Sequence, residues 1–302
     1  MFNFLKIGMI FLAGILATPS FAVVNILATT PEWGALANEI GGDKVKVYVA
    51  TTALQDVHHV EARPSLVASA RNADLLIATG AELEVGWLPV LQRESGNGKI
   101  QAGSPGYFEA AQQVPLLDVP SSVDRSMGDV HPFGNPHIHL DPHNLLKVGE
   151  ALSKRLGEID VANKDGYATR NKAFQERMTL AMSKWEVQAA PLKGLPVVVY
   201  HKDQEYLLHW LGMKEVGALE PKPGVQPTTG HLSGLLQRLQ KDPAKVILQN
   251  AYNDPKPGKW LAERSKIPVA TLPYTVGGSK EAKDLFALFD DTITKLLATI
   301  KQ

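Results

Sequence analysis

Residues 161–188 read VANKDGYATRNKAFQERMTLAMSKWEVQ, and this stretch decides the architecture. Tyr167, Phe174, Met178, Met182 and Trp185 recur at intervals of seven, four and three, which puts them in one stripe along a long α-helix whose remaining positions are largely polar. A helix of that length with a single apolar stripe suits an element that spans two lobes better than one buried inside either. Pro191 and Gly194 end it.

On both sides of the helix, strand-like and helix-like stretches alternate. Before it, strands are expected at Val23 to Thr29, Lys44 to Ala50 and Asp74 to Thr79. Helices are expected at Pro31 to Ile40, Pro64 to Asn72, Leu83 to Arg93 and from Pro142. After it, strands are expected at Pro196 to Tyr200, Lys245 to Gln249 and Val269 to Leu272. The helices there are Gln204 to Leu211, Gly230 to Gln240, Lys256 to Lys266 and Glu281 to Ile300. Apolar strands alternating with amphipathic helices imply an α/β chain of two lobes, each a mainly parallel sheet flanked by helices. The expected division is an N-terminal lobe over 23–158, a linking helix over 159–193 and a C-terminal lobe over 194–302. Ligands of such sheets gather at the carboxyl ends of the strands.

The N-terminus carries an address. Lys6 gives a short basic region, Ile7 to Ala17 an apolar run and Ser20-Phe21-Ala22 a small-x-small site, so residues 1–22 read as a signal peptide cleaved after Ala22. The apolar run is short for a membrane span. With 31 basic and 31 acidic residues the chain has no net charge, and nothing points to nucleic acid. There is no cysteine, which removes disulfides, a lipid anchor on cysteine and thiolate ligands, leaving mainly histidine and carboxylate for a metal. A soluble exported protein, periplasmic where the cell has an outer membrane, is the expectation.

Histidines concentrate where a cleft would form. Four of the nine lie between His131 and His143, in His-Pro-Phe-Gly-Asn-Pro-His-Ile-His-Leu-Asp-Pro-His. Proline stiffens this segment, and Asp141-Pro142 reads as a helix cap and first turn. A turn between His137 and His139 would separate their side chains, so one is expected to bind and the other to serve otherwise. A second group, Asp56-Val57-His58-His59-Val60-Glu61, follows the second strand, and His201 directly follows Val197 to Tyr200. Imidazoles delivered from loops of two lobes can converge on one ion.

These segments resemble the zinc- and manganese-binding solute-binding proteins of bacterial ABC importers. The Asp-Pro-His, aromatic, Glu signature of that family is similar to Asp56 to Glu61, with Pro64-Ser65 downstream. Its Asp-Pro-His-x-Trp-Leu-Asp-Pro pattern is similar to Asn135 to Pro142, and its strand-ending His with Tyr five residues on corresponds to His201 and Tyr206. The resemblance covers essentially the whole mature chain. It implies His58, His137 and His201 as metal ligands, two lobes on a rigid helix, no enzymatic activity, and a monomer that hands its ion to an ABC permease in the cytoplasmic membrane.

Two departures bear on the metal. The family often supplies a carboxylate after the strand near Val269, where this chain has Pro273-Tyr274-Thr275-Val276-Gly277-Gly278. Asn135 also replaces an Asp. Three imidazoles favour Zn(II) over Mn(II), which such proteins commonly hold with two histidines and two carboxylates; the fourth position stays open between water and a side chain from elsewhere. His59, Glu61, His139 and His143 are auxiliary candidates, and the three histidines read more simply as capping or surface residues. Asp124, Asp129 and His131 resemble a short remnant of the His- and acid-rich loop of some zinc members. His209 reads as a packing residue and His231 as a surface one. Glu220-Pro221 reads as a turn shaping the cleft wall without touching metal. The alternatives are a manganese-specific member, an adhesin or metal buffer with the same site, and a secreted zinc hydrolase with Glu61 or Glu205 as base.

Overall fold

The computed structural model describes residues 23–122, 124, 127–128 and 130–301; the expected signal peptide and Asp129 lie outside the described residues. Two four-stranded sheets are built from β1 (Val24–Ala28), β2 (Val45–Val49), β3 (Leu75–Ala78) and β4 (Tyr107–Glu109), and from β5 (Pro196–Val199), β6 (Lys214–Ala218), β7 (Val246–Asn250) and β8 (Val269–Leu272). Strand orders are β2-β1-β3-β4 and β6-β5-β7-β8, every pairing is parallel, and the two halves thus repeat one topology. Central strands β3 and β7 are buried along their whole length, as helices on both faces require.

Around the first sheet lie α1 (Pro31–Gly41), α2 (Pro64–Arg71), α3 (Leu88–Ser95) and α4 (Pro142–Ile159). Then comes α5 (Lys164–Ala189), and around the second sheet α6 (Glu205–Leu211), α7 (Thr229–Leu239), α8 (Pro255–Ser265) and α9 (Leu285–Ile300). At 26 residues α5 is about 39 Å long. Its buried residues are Tyr167, Asn171, Phe174, Met178, Met182, Trp185 and Ala189, the stripe seen in the sequence. Near its start Arg170 Nε donates to the Ile40 carbonyl at the end of α1 (2.7 Å). Near its end Trp185 packs on Phe289 of α9 with ring centres 5.1 Å apart, and its Nε1 donates to Asp290 at 2.8 Å. One apolar core runs through both sheets by way of α4, α5 and α9.

The structure departs from the sequence expectations at several places. β4 and β6 were not foreseen: β4 has three residues, and Lys-Glu-Val-Gly-Ala in β6 lacks an apolar run because both strands lie at sheet edges. α3 starts at Leu88 instead of Leu83: residues 81–87 run through turns, and Trp87 just ahead of the helix has a non-helical φ of −139°. α9 starts at Leu285, where the Asp284 carboxylate accepts the N–H groups of Phe286 and Ala287. Val161–Asn163 form a separate 3-10 turn before α5. Among the described residues no helix is long and apolar enough to cross a membrane.

Trp185→Ala should destabilise the protein by about 3–5 kcal/mol in denaturant unfolding, because a fully buried indole leaves a cavity. Leu180→Ala on the exposed face of α5 should change stability by no more than about 0.5 kcal/mol.

Candidate metal centre

The loops at the carboxyl ends of the strands bring four imidazoles into the cleft between the lobes. After β2, the Asp56 carboxylate accepts both the backbone N–H of His58 (3.0 Å) and its Nδ1 (2.8 Å), while Trp87 Nε1 fastens the loop through the Val57 carbonyl (2.9 Å). Burial works against ionisation of Asp56, yet its bonds to His58 prevail and hold the carboxyl down at about 2. In the second loop, Gly134 has φ +116°, and a Cβ there would come within 2.8 Å of the Leu117 carbonyl oxygen, so this bend needs glycine. His137 follows it: its N–H donates to Asn135 Oδ1 (3.0 Å), and its Nδ1 shares a hydrogen bond with the Tyr274 hydroxyl (2.6 Å). From the other lobe, His201 leaves the end of β5 with its Nδ1 on Glu220 Oε2 at 2.7 Å.

The ring of His58 lies 5.7 Å from that of His137 and 5.9 Å from that of His201, and His137 and His201 are 5.7 Å apart. His131 joins them, its ring stacked on His58 at 5.6 Å and 25°. One ring nitrogen each from His58, His131 and His137 lie within 4.8 Å of one another; His201, expected as the third ligand, stands outside this close group, its ring facing those of His58 and His137 from the C-terminal lobe. Each Nδ1 of His58, His137 and His201 is occupied from behind, so the Nε2 lone pairs are the ones free for a metal.

Charge at the site is set by burial and by these partners. His137 is pushed well below the ordinary imidazole range, by burial first and then by the neighbouring imidazoles. His131 falls to about 4 for the same reasons. Burial would lower His201 too, but its hydrogen bond to Glu220 and the charge of Asp203 raise it overall. Asp203 is fully buried beside the site, with one oxygen held by Asn250 Nδ2 (2.5 Å) and the Tyr252 hydroxyl (2.6 Å); burial raises its carboxyl.

The auxiliary candidates separate cleanly. The turn Ile138–Leu140 parts His137 from His139. His139 is no surface residue: it is 1% exposed, its Nε2 faces the Tyr274 carbonyl at 2.9 Å, and its Nδ1 lies 3.5 Å from the buried Glu32 of α1. His143 is exposed and sits on Asp141, the cap of α4, at 2.8 Å. His59 and Glu61 are exposed, and His209 is exposed instead of packed. His231 is half-buried on the Ala218 carbonyl (2.9 Å). Glu220, expected only to shape the cleft wall, holds His201 because the unforeseen β6 delivers it there. Tyr274, Glu32 and Asp203 are among the residues that no sequence pattern singled out.

The lobes are tied across the cleft. Asn135 Nδ2 donates to the Lys202 carbonyl (2.6 Å). The Tyr206 hydroxyl donates to the Asn135 carbonyl (2.8 Å) and accepts the Leu117 N–H (3.0 Å), and Thr275 Oγ1 donates to Glu32 (2.5 Å).

Two parallel lobes on one long helix, with histidines meeting in the cleft, define a metal-capturing solute-binding protein. Residues 26–300 match the family described as ZnuA, zinc-uptake complex component A, periplasmic. The chain belongs to this family, whose members are substrate-binding components of metal ABC transporters and not enzymes. It is 22% identical over 266 residues to the manganese ABC transporter substrate-binding lipoprotein PsaA of Streptococcus pneumoniae, covering 86% of this chain and 83% of that one. It is 22% identical over 254 residues to the metal ABC transporter substrate-binding lipoprotein ScbA of Streptococcus cristatus, covering 83% and 80%. Among solved structures, a crystal structure of ZnuA superimposes with TM-score 0.76 at 19% identity over 92% of this chain and 99% of that one. A cadmium-bound periplasmic metal-binding protein from Candidatus Liberibacter asiaticus gives 0.74 at 18% identity over 91% and 98%.

Tyr274→Phe withdraws the hydroxyl behind His137 and should weaken metal binding by about 10–100-fold in chelator competition, with the fold intact. Acid should discharge the ion, because a metal must displace any proton on its ligand. His201, whose proton affinity is raised, takes up a proton at a higher pH than His137, so it sets the upper edge of the loss. Glu220→Gln lowers that affinity and should move the onset of acid release to lower pH, as measured by metal affinity against pH.

Proposed function

We propose that the protein captures Zn(II) outside the cytoplasmic membrane with His58, His137 and His201 and passes it to the permease of an ABC importer. The observation that carries this reading is the set of imidazoles meeting between the lobes, each fixed from behind so that one nitrogen points inward. Neutral nitrogen donors suit zinc, which accepts low coordination numbers. Manganese favours oxygen-rich sites, and residues 273–278 contain no carboxylate. Relatives named for manganese, such as PsaA, support a second reading as a manganese carrier; the donor set weighs against it.

Residues 23–158 and 194–302 act as the two lobes, with 159–193 as the link between them. Because α5 and the hydrogen bonds across the cleft restrain the lobes, release proceeds by rearrangement of the histidine loops with little hinge motion. A signal sequence over 1–22 supports export of the mature chain across the cytoplasmic membrane. Residues 1–302 contain no cysteine to carry a lipid, whereas the relatives PsaA and ScbA are named as lipoproteins.

The test is competitive titration of the purified protein with Zn(II) and Mn(II), paired with metal uptake in cells lacking it. Zinc should bind at least about 100-fold more tightly than manganese, His137→Ala should abolish that preference, and deletion should lower zinc uptake. Equal affinities for the two metals would favour the manganese reading, and unchanged uptake of both would favour a buffer or adhesin.

A further inference from the structure

The residues behind His131 form a device that none of the motifs describes. We propose that His131 supplies the fourth nitrogen of the metal site, and that Glu84 is its positioning residue, acting through the turn Gly80-Ala81-Glu82; this rests on the three-histidine site above. Nε2 of His131 is buried with no hydrogen-bond partner, as is Nε2 of His58 beside it. Two unpartnered nitrogens facing one buried point are unfavourable unless something there accepts their lone pairs. The backbone of Ala81 lies against the His131 ring and favours a proton on it, standing behind it as Asp56, Tyr274 and Glu220 stand behind the other rings. A ring nitrogen of His131 lies within 4.8 Å of one from His58 and one from His137, close enough for the three to share one ion.

Ala81 is where it is because of an unusual backbone. Gly80, Ala81 and Glu82 have φ of 81°, 50° and 66°, three left-handed residues in succession, two of them carrying side chains. Such conformations are unfavourable for L-residues and persist only when the surroundings hold them. The holder is Glu84. One of its carboxylate oxygens accepts the Thr29 hydroxyl (2.7 Å) and the Thr79 N–H (2.7 Å), and the other accepts the Gly80 N–H (3.1 Å). Glu84 is 3% exposed, and among the described residues no lysine or arginine forms an ion pair with it. A buried carboxylate spent wholly on the donors around one turn fixes that turn, and through it the direction of the His131 ring.

The test is a double-mutant cycle read by zinc affinity and by the number of imidazoles around zinc in X-ray absorption. Wild type should show four imidazoles. His131→Ala should show three and bind at least about tenfold more weakly. Glu84→Gln keeps the size but turns a nitrogen donor toward one of the N–H groups. It should weaken binding about tenfold when His131 is present and not at all in the His131→Ala background. If Glu84→Gln does not fold, Thr29→Val, which withdraws one donor from the intact carboxylate, takes its place in the cycle. Unchanged affinity and imidazole count in His131→Ala would overturn the ligand, and an equal loss from Glu84→Gln in both backgrounds would reduce Glu84 to a purely structural role. His137→Ala is the reference: if it too bound zinc like wild type, the three-histidine reading would fail, and not only this extension of it.

Discussion

The molecule depends on hydrogen bonds made to the backs of imidazole rings. A histidine can ligate a metal only through a nitrogen whose lone pair is free, and which nitrogen that is follows from what the other one bonds. Here Asp56, Tyr274 and Glu220 each take the Nδ1 of one histidine. Three rings with little rotational freedom are thereby presented to one another at under 6 Å. Without those partners the rings would turn toward water or toward their own backbone, and the cleft would hold histidines without holding a site.

The partners are spread over both lobes, so the fold has to be stiff for the geometry to last. Tyr274 belongs to the loop after β8 yet aims His137 from the other lobe, and His139 and Glu32 pin the loop that carries it. An apolar core continuous through α4, α5 and α9 keeps these distances constant. The same stiffness limits how the ion can leave. Burial and crowding keep His137 short of protons, and the Glu220 and Asp203 charges make His201 the more basic ring. The cleft therefore holds two rings of unequal basicity, and an ion bound to both would meet stronger competition from protons at His201 than at His137.

Much of this was legible in the sequence. The α5 stripe, the buried central strands and the proline-stiffened histidine loop are local patterns, set by periodicity and by capping. The separation of His137 from His139 also followed from local chemistry, since a proline-flanked segment turns. What stayed hidden came from residues far apart in the chain. Tyr274 is 137 residues from His137, and no spacing rule joins them. Glu220 was read as a turn residue because β6, an edge strand with a mixed pattern, was not recognised, and the end of that strand is what brings it to His201. Glu84 was absorbed into a helix beginning at Leu83, whereas its carboxylate is held by the N–H groups of Thr79 and Gly80 and the helix starts at Leu88. An unrecognised edge strand and a misplaced helix start thus each concealed one supporting residue, one in each lobe.

The central claim is that histidines from both lobes share a single ion. A crystal structure of the zinc-loaded protein, with anomalous differences collected at the zinc edge, tests it most directly. The account expects one peak in the cleft about 2.0–2.1 Å from the Nε2 atoms of His58, His137 and His201. A peak held by ligands of one lobe alone, or by Nδ1 atoms with Asp56, Tyr274 and Glu220 turned away, would contradict it.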